Sequence, residues 1–302
     1  MSDVAVQATV VEGTGTATAI RRATYSRARR SAKASIGLHA ALLLATVIAV
    51  FPVLWIVLAS FKPGYAQLSS DIQLVRDPTL ENYSFVLFET NFPRWFLNSV
   101  IVAGFTMLIG IFMSATTGYA ASRFNFPGKR GLMWALLVTQ MFPVAVLIVP
   151  IYMIMSRFGL INTPVSLIIA YCTVAVPFCS WLLKGYIDTI PRELDEAGAL
   201  DGLGPFGVFW RVVLPLARPG LAVTAFFTFL TAWGEVAFAS AFIQSDRNFT
   251  LAYGLQQFVP QFNPQWEYLT AAAVLVTIPA AIVFLVVQRN LVAGLTAGGT
   301  KG

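Results

Sequence analysis

The chain alternates between long apolar runs and shorter polar breaks. Runs free of Asp, Glu, Lys and Arg cover Ala40–Phe61, Trp95–Ser122, Gly131–Ser156, Phe158–Leu183, Pro219–Gly234 and Tyr268–Gln288; the fifth continues to Ser245, interrupted only by Glu235. A helix rises about 1.5 Å per residue and the hydrocarbon core is about 30 Å thick, so about 20 apolar residues cross it. Backbone polar groups in lipid must be satisfied within the segment, which favours helices. The pattern therefore predicts an all-α, polytopic membrane protein with six transmembrane helices. Ile161-Asn162-Thr163-Pro164 reads as a turn opening the fourth span. Pro52, Pro143, Pro150, Pro177 and Pro279 fall inside the spans, where kinks are tolerated because neighbouring helices satisfy the freed carbonyls.

Composition agrees with the pattern: of 302 residues, 57% are hydrophobic and 11% charged, against about a quarter charged in soluble domains. A net charge of +6 could suggest nucleic acid, but the cations follow topology. The N-terminal segment, second and fourth connections and C-terminus carry 15 of the 20 Lys and Arg residues; Lys62, Arg76, Arg94, Arg157 and Arg247 lie on the other side. The positive-inside rule places both termini in the cytoplasm. The 22-residue first run exceeds a signal-peptide core, and no small-x-small site follows it. Residues 1–35 read as a disordered basic tail suited to anionic lipid, residues 36–290 as the six-helix domain, and 291–302 as a cytoplasmic tail. Cys172 and Cys179 lie seven apart on one predicted helix, too distant to bond, and read as packing residues. His39 reads as a boundary residue at the mouth of the first span.

The break from Lys184 to Arg218 cannot be a span. Asp188, Glu193, Asp195, Glu196 and Asp201 accompany Arg192 and Arg211, yet Leu194, Ala197, Leu200 and Leu203 recur every third residue and would form one apolar stripe on a short helix. Pro191 suits the first turn of that helix and Gly202 the position just past its end. Helix, turn and second helix are predicted over 188–215, with Leu214-Pro215 ending the last.

The order of small, acidic and glycine residues there is specific: Glu196-Ala197-Gly198, Gly202 four residues after Gly198, then nine residues to Val212-Val213-Leu214-Pro215. It resembles the coupling loop of bacterial ABC importer permeases, departing only where Gly198 replaces the second Ala. Phe126-Pro127-Gly128-Lys129, Gln140-Met141-Phe142-Pro143 and the Gly-rich end from Gly294 to Gly302 are similar to the carbohydrate-uptake branch, most of all its maltose-type members. The resemblance covers about residue 36 to the C-terminus. It implies the type I, MetI-like permease fold and a non-catalytic subunit of the bacterial inner membrane.

The resemblance further implies that Glu196, Ala197, Gly198, Asp201, Gly202, Leu214 and Pro215 contact an ATP-hydrolysing partner. A short helix with small residues could sit in a partner's cleft while Gly202 lets the chain turn. The chain has no phosphate-binding Gly-x-x-x-x-Gly-Lys-Ser/Thr loop, so no cofactor is expected on it; ATP and magnesium belong on partner subunits. The implied assembly has two ATP-binding-cassette ATPases, a second homologous permease, an external solute-binding protein and a carbohydrate, most of all maltose or maltodextrin. Thr296, Gly298 and Gly299 would lie between the ATPases. The outward loop with Asn248, Tyr253, Gln256, Gln257, Phe262 and Asn263 would meet the binding protein, though such residues equally form a packed rim.

Glu235, the sole carboxylate in a predicted span, is expensive in hydrocarbon unless it faces a cavity or partner. It reads equally as a gate residue or as a structural hydrogen-bonding group at a subunit interface. Another sugar, a polyol or a glycerol phosphate is the alternative cargo. An ion-coupled secondary transporter is the rival from another class, but usually carries several intramembrane polar groups. A membrane enzyme finds no HExxH, carboxylate pair or metal cluster in the sequence.

Overall fold

The computed structural model describes residues 32–64, 77–260 and 264–299. The tail up to residue 31, Arg76, Phe262, Asn263 and Lys301 lie outside them. Every described regular element is helical. In chain order the main elements are α1 (Ala32–Ser60), α2 (Phe92–Arg123), α3 (Lys129–Thr139), α4 (Val144–Arg157), α5 (Pro164–Ile187), α6 (Glu193–Leu200), α7 (Pro205–Leu216), α8 (Arg218–Trp233), α9 (Ala237–Phe242) and α10 (Trp266–Gly299).

The described residues up to Pro52 fall in one unit and those from Val53 onward in a second. The first contains most of α1, which begins at Ala32, inside the stretch expected to be tail, and runs 29 residues with Pro52 inside. Near its start His39 Nδ1 donates to the Ser35 carbonyl at 2.7 Å.

In the second unit α2, α5 and α8 pack on one another, α10 joins through α8, and α3 lies against α5. Small residues permit the close approaches. A Cβ on Gly118 of α2 would come within 2.9 Å of the Lys184 backbone nitrogen on α5, and one on Gly110 within 2.9 Å of the Thr228 side chain on α8. One core gathers Trp95, Leu167, Tyr171, Trp233, Phe238 and Leu251; the other gathers Tyr119, Leu183, Ile187, Phe209 and Val213. Leu108 and Phe112 of α2, Val149 of α4 and Leu285 of α10 remain more than half exposed, a surface that water would disfavour and lipid accepts. Both cysteines are free thiols, and Cys179 is buried against the Thr228 hydroxyl at 3.5 Å, in keeping with packing.

Four helices are long and apolar enough to cross a membrane, and six spans result if each of two bent pairs counts as one. The six-span expectation thus holds with two corrections. The third run is not one helix: α3 and α4 meet at 107°, because Pro143 (φ −58°, ψ 134°) lacks an N–H and disfavours helical geometry in the residue before it. Pro52, Pro150, Pro177 and Pro279 remain within helices. The fifth run stops at Trp233, breaks over Gly234, Glu235 and Val236, and resumes as α9. The second bent pair is α7 and α8, which meet at 80°.

Gly118→Val should destabilise the fold by about 1–3 kcal/mol through overpacking, because the obstruction includes α5 backbone and no rotamer change relieves it. The check is a lowered unfolding midpoint for the full chain in detergent, with Gly131→Val, where a Cβ meets nothing within 4 Å, as the control.

Candidate functional site

The polar break folds as a helix, a tight turn and a second helix. Arg192 precedes α6, whose first turn holds Glu193, Asp195 and Glu196, favourably placed at the positive end of the helix dipole. Pro191 lies just outside that turn, correcting its expected place within it; its carbonyl accepts the Leu194 N–H at 3.4 Å. At the other end Gly202 adopts φ +85°. The Leu203 N–H reaches the Gly198 carbonyl and the Gly202 N–H the Ala199 carbonyl, both at 3.0 Å, a Schellman ending that needs a residue at ease in the left-handed region. Gly198 is buried, and a Cβ there would already touch Val208, Val212 and Leu203 at 3.4–3.5 Å. The residue that departs from the Glu-Ala-Ala pattern therefore lies where α6 presses on α7.

A polar network locks this unit to the end of α2. Arg123 Nε lies 2.6 Å from Asp195 Oδ2, with the two side chains 6% and 19% exposed. Arg123 also donates to the Ile190 carbonyl at 3.0 Å, and Arg192 to the Ser122 carbonyl at 3.0 Å. Asp188, just beyond α5, accepts from the Ser122 hydroxyl and from Lys184 Nζ, each at 2.6 Å. Tyr119 donates to the Pro205 carbonyl at 3.1 Å and packs its ring on Phe209, centroids 4.9 Å apart. Burial pushes the Asp188 carboxyl up, but hydrogen bonds from Lys184 and Ser122 and the charges of Lys184 and Arg123 outweigh it and hold its pKa below the ordinary aspartate value. The stabilisation is complete above the ordinary aspartate range and lost as pH falls through the lowered value.

This geometry divides the expected apolar stripe. Leu203 turns inward over Gly198, whereas Leu194 is 41% and Leu200 89% exposed, and Ala197 is exposed with them. Asp195 sets the inward face by pairing with Arg123, Gly198 continues it three residues on, and Leu203 joins only because Gly202 reverses the chain. Glu196 and Asp201 are exposed as well. Leu214 is half-buried against the lower core and Pro215 is exposed. Phe206, at 70% exposure, and Trp210, at 48%, extend the apolar surface along α7. Glu196, Ala197, Leu200 and these aromatics offer a solvent-facing surface on a rigidly held unit. Sequence reasoning counted Arg123 only as a topology charge and assigned no role to Ser122 or Tyr119; the available signal was a cation ending an apolar run ahead of a loop rich in carboxylates.

The other expected positions are differently engaged. The Glu235 carboxylate accepts the Phe238 N–H at 2.9 Å and the Ala239 N–H at 3.2 Å, capping α9 within this chain. Asn248 donates to the Asn162 carbonyl at 2.7 Å; Asn162 is itself left-handed at φ 63°, and its side-chain oxygen accepts the Gln244 and Ser245 N–H groups. Tyr253 packs edge-on to Phe249 at 4.4 Å, while Gln256 and Gln257 are exposed. The start of α2 fastens this loop: Trp95 Nε1 donates to the Asp246 carbonyl, and Asn98 to those of Arg247 and Phe249, at 2.8–2.9 Å. Thr296, Gly298 and Gly299 lie in the last turns of α10, so a helix runs well into the expected tail.

Comparison with known proteins adds a family to this geometry. Residues 107–297 match the model of the "Binding-protein-dependent transport system inner membrane component" family. The maltodextrin transport system permease protein MalD of Streptococcus pneumoniae is 34% identical over 261 residues, 85% of this chain and 92% of that protein. The maltose/maltodextrin permease protein MalG of Vibrio vulnificus is 39% identical over 273 residues, 84% and 91% of the two. A crystal structure of a bacterial ABC transporter involved in alginate import contains a chain of the same fold, with TM-score 0.75 and 22% identity over 89% of this chain and 99% of that one.

Asp195→Asn leaves Arg123 with Asp188 as its remaining nearby counter-charge and should cost about 1–3 kcal/mol, read as a lowered unfolding midpoint of the full chain in detergent. The paired exchange Arg123→Asp with Asp195→Arg should recover part of the loss. Equal midpoints for wild type and Asp195→Asn would show that the pair holds nothing.

Proposed function

The chain belongs to the binding-protein-dependent transport system inner membrane components, and we propose that it forms half of a pathway carrying maltose or maltodextrin from an external binding protein into the cytoplasm. It is a multi-pass permease subunit of an inner-membrane ABC importer. The sugar assignment rests on the maltodextrin and maltose relatives at 34% and 39% identity. The cation distribution read above supports cytoplasmic termini.

The observation that carries the mechanism is the outward-facing surface of α6, tied inward by the buried Arg123–Asp195 pair. In this reading Glu196, Ala197, Gly198, Asp201 and Gly202, with Leu214 and Pro215 beyond, make the coupling unit. It docks on one of two ATPases that bind ATP and magnesium. Closure of the ATPases displaces α6; Arg123 carries the movement into α2, and the contact of Gly198 with Val208 and Val212 carries it through α7 to the bend before α8. Gln256 and Gln257, with Phe262 and Asn263, present the outer loop to the binding protein. Thr296, Gly298 and Gly299 extend towards the ATPases. Glu235, at the break after α8, is placed to respond when that break flexes.

A second permease completes the pathway. The cleft of about 680 Å³ among α2, α8 and α10, lined by Phe92, Phe96, Phe229, Trp233 and Leu275, has almost no polar wall. A sugar needs several convergent hydrogen-bonding groups, so this cleft suits apolar neighbours and the sugar route belongs between subunits.

The test is to copurify the chain with its encoded neighbours, reconstitute them and measure ATP hydrolysis against a panel of loaded binding proteins. Maltodextrin should stimulate hydrolysis and drive uptake, whereas trehalose and polyols should not. Glu196→Lys with Gly202→Pro should abolish transport without loss of membrane insertion, because Pro cannot supply the left-handed turn or its N–H. Uptake by the chain alone on a proton or sodium gradient, without ATP, would overturn the importer reading.

A further inference from the structure

The Phe126-Pro127-Gly128-Lys129 segment takes no part in the coupling unit, yet it builds one wall of a cavity of about 520 Å³. The remaining walls come from the first turns of α3 and the last turns of α5, including Asn125, Lys129, Arg130, Trp134, Trp181 and Lys184. Gly128, at φ +86°, reverses the chain so that α3 starts at the cavity. The first N–H groups of a helix have no partner within it and carry the positive end of its dipole. Two cations adjoin them. Lys129 Nζ is held 3.0 Å from the Phe124 carbonyl; Arg130 is exposed and, among the described residues, has no hydrogen bond or ion pair. Lys184 is satisfied by Asp188, so the net charge presented is that of Lys129 and Arg130.

We propose that this cavity binds the headgroup of an anionic glycerophospholipid, at the cytoplasmic end of α3 and α5; the placement rests on the orientation proposed above. The apolar half of the wall distinguishes a lipid from a free phosphate. Trp181 is fixed by donating from Nε1 to the Met133 carbonyl at 2.9 Å. Trp134, 57% exposed, stands at the cavity edge and leads to Leu137 and Val138 on the open flank of α3, 37% and 46% exposed. A phosphate at Lys129, Arg130 and the N–H groups of Arg130 and Gly131, the Lys129 N–H being bonded to the Phe126 carbonyl at 3.3 Å, would thus have its acyl chains running along an existing apolar track. Tryptophan beside basic residues at the end of a span is the arrangement that membrane interfaces favour.

The experiment titrates the purified full-length chain in detergent with brominated phosphatidylglycerol and, separately, brominated phosphatidylcholine, following quenching of tryptophan emission. Each cation near an anionic surface contributes about fivefold, so phosphatidylglycerol should be preferred by about 25-fold. Lys129→Gln with Arg130→Gln should remove most of that preference while helical content by circular dichroism is kept. Trp134→Phe should reduce the quenched amplitude without changing the preference. Arg157→Gln, an exposed cation at the far end of α4, should leave both unchanged. Equal quenching by the two lipids in wild type, a preference untouched by the Lys129/Arg130 variant or lost in the Arg157 variant, or full displacement of phosphatidylglycerol by equimolar glycerol 3-phosphate would each overturn the proposal. Because no ATP or transport enters the measurement, a failure here is separate from a failure of the importer reading.

Discussion

The Arg123–Asp195 pair is the contact on which the arrangement of α6 and α7 depends. Arg123 ends a 32-residue helix and Asp195 lies in an eight-residue one. A helix that short is marginal in isolation, so its orientation must come from what holds it. The pair fixes one face of α6 inward. The Arg192 bond to the Ser122 carbonyl anchors its beginning, and the Schellman turn at Gly202 delivers Leu203 to the same inward side. What remains outside, Glu196, Ala197 and Leu200 among others, is held by the inward contacts rather than by its own. In its proposed role as a docking surface this face must keep its shape before a partner arrives, and the largely enclosed ion pair provides that.

Much of this was legible in residue order, and the illegible part has a common physical cause. Apolar length located every span because the bilayer imposes a minimum run on any helix that crosses it. Pro191, Gly202 and Leu214-Pro215 framed the polar break because special backbone geometry narrows residue choice; two positions differed, Pro191 lying just before the helix and Leu214-Pro215 lying within α7, which runs on to Leu216 instead of ending there. Periodicity of three suggested one stripe on α6, but periodicity cannot say which neighbour lies across from a helix. Asp195 belongs to the polar set in sequence and to the inward face in space, because Arg123 waits there, 72 positions upstream. The same limit applies to Asn248, whose partner is the carbonyl of Asn162. An amide in an outward loop reads as a sugar contact until its partner is known.

The two bends show how charge content and backbone geometry can disagree. Gly131–Ser156 is a single uncharged run, and hydropathy has no reason to divide it. Pro143 does so through sterics, by excluding the helical region for the residue before it. The other proline positions in apolar runs remain within their helices. What separates Pro143 from them is a helix ending just ahead of it: the Gln140 and Met141 N–H groups bond three residues back, to Leu137 and Val138, tightening the last turn of α3. A kink becomes a break when the preceding turn has already begun to close. The charged residue in the fifth run also has a local explanation. Glu235 sits where α8 has ended and α9 has not begun, and its carboxylate satisfies two N–H groups that would otherwise lack a partner.

The bends matter mechanically because of what lies on either side of them. A continuous helix transmits displacement along its axis, whereas a pair bent by 80° converts movement of one arm into rotation of the other. α7 carries Val208 and Val212, which close over Gly198, and α8 carries Thr228, packed against Gly110 of α2. α2 is reached a second time, directly, through Arg123. Under the proposed coupling role, movement at α6 would reach the central bundle by two routes: an ion pair to a long unbroken helix, and apolar contacts through a bend. The ion pair is at the C-terminal end of α2, while the N-terminal end holds the 246–249 segment through Trp95 and Asn98. One unbroken 32-residue helix, α2, joins the two surfaces, so under the proposed role of α6 a displacement there would reach the loop along a single element.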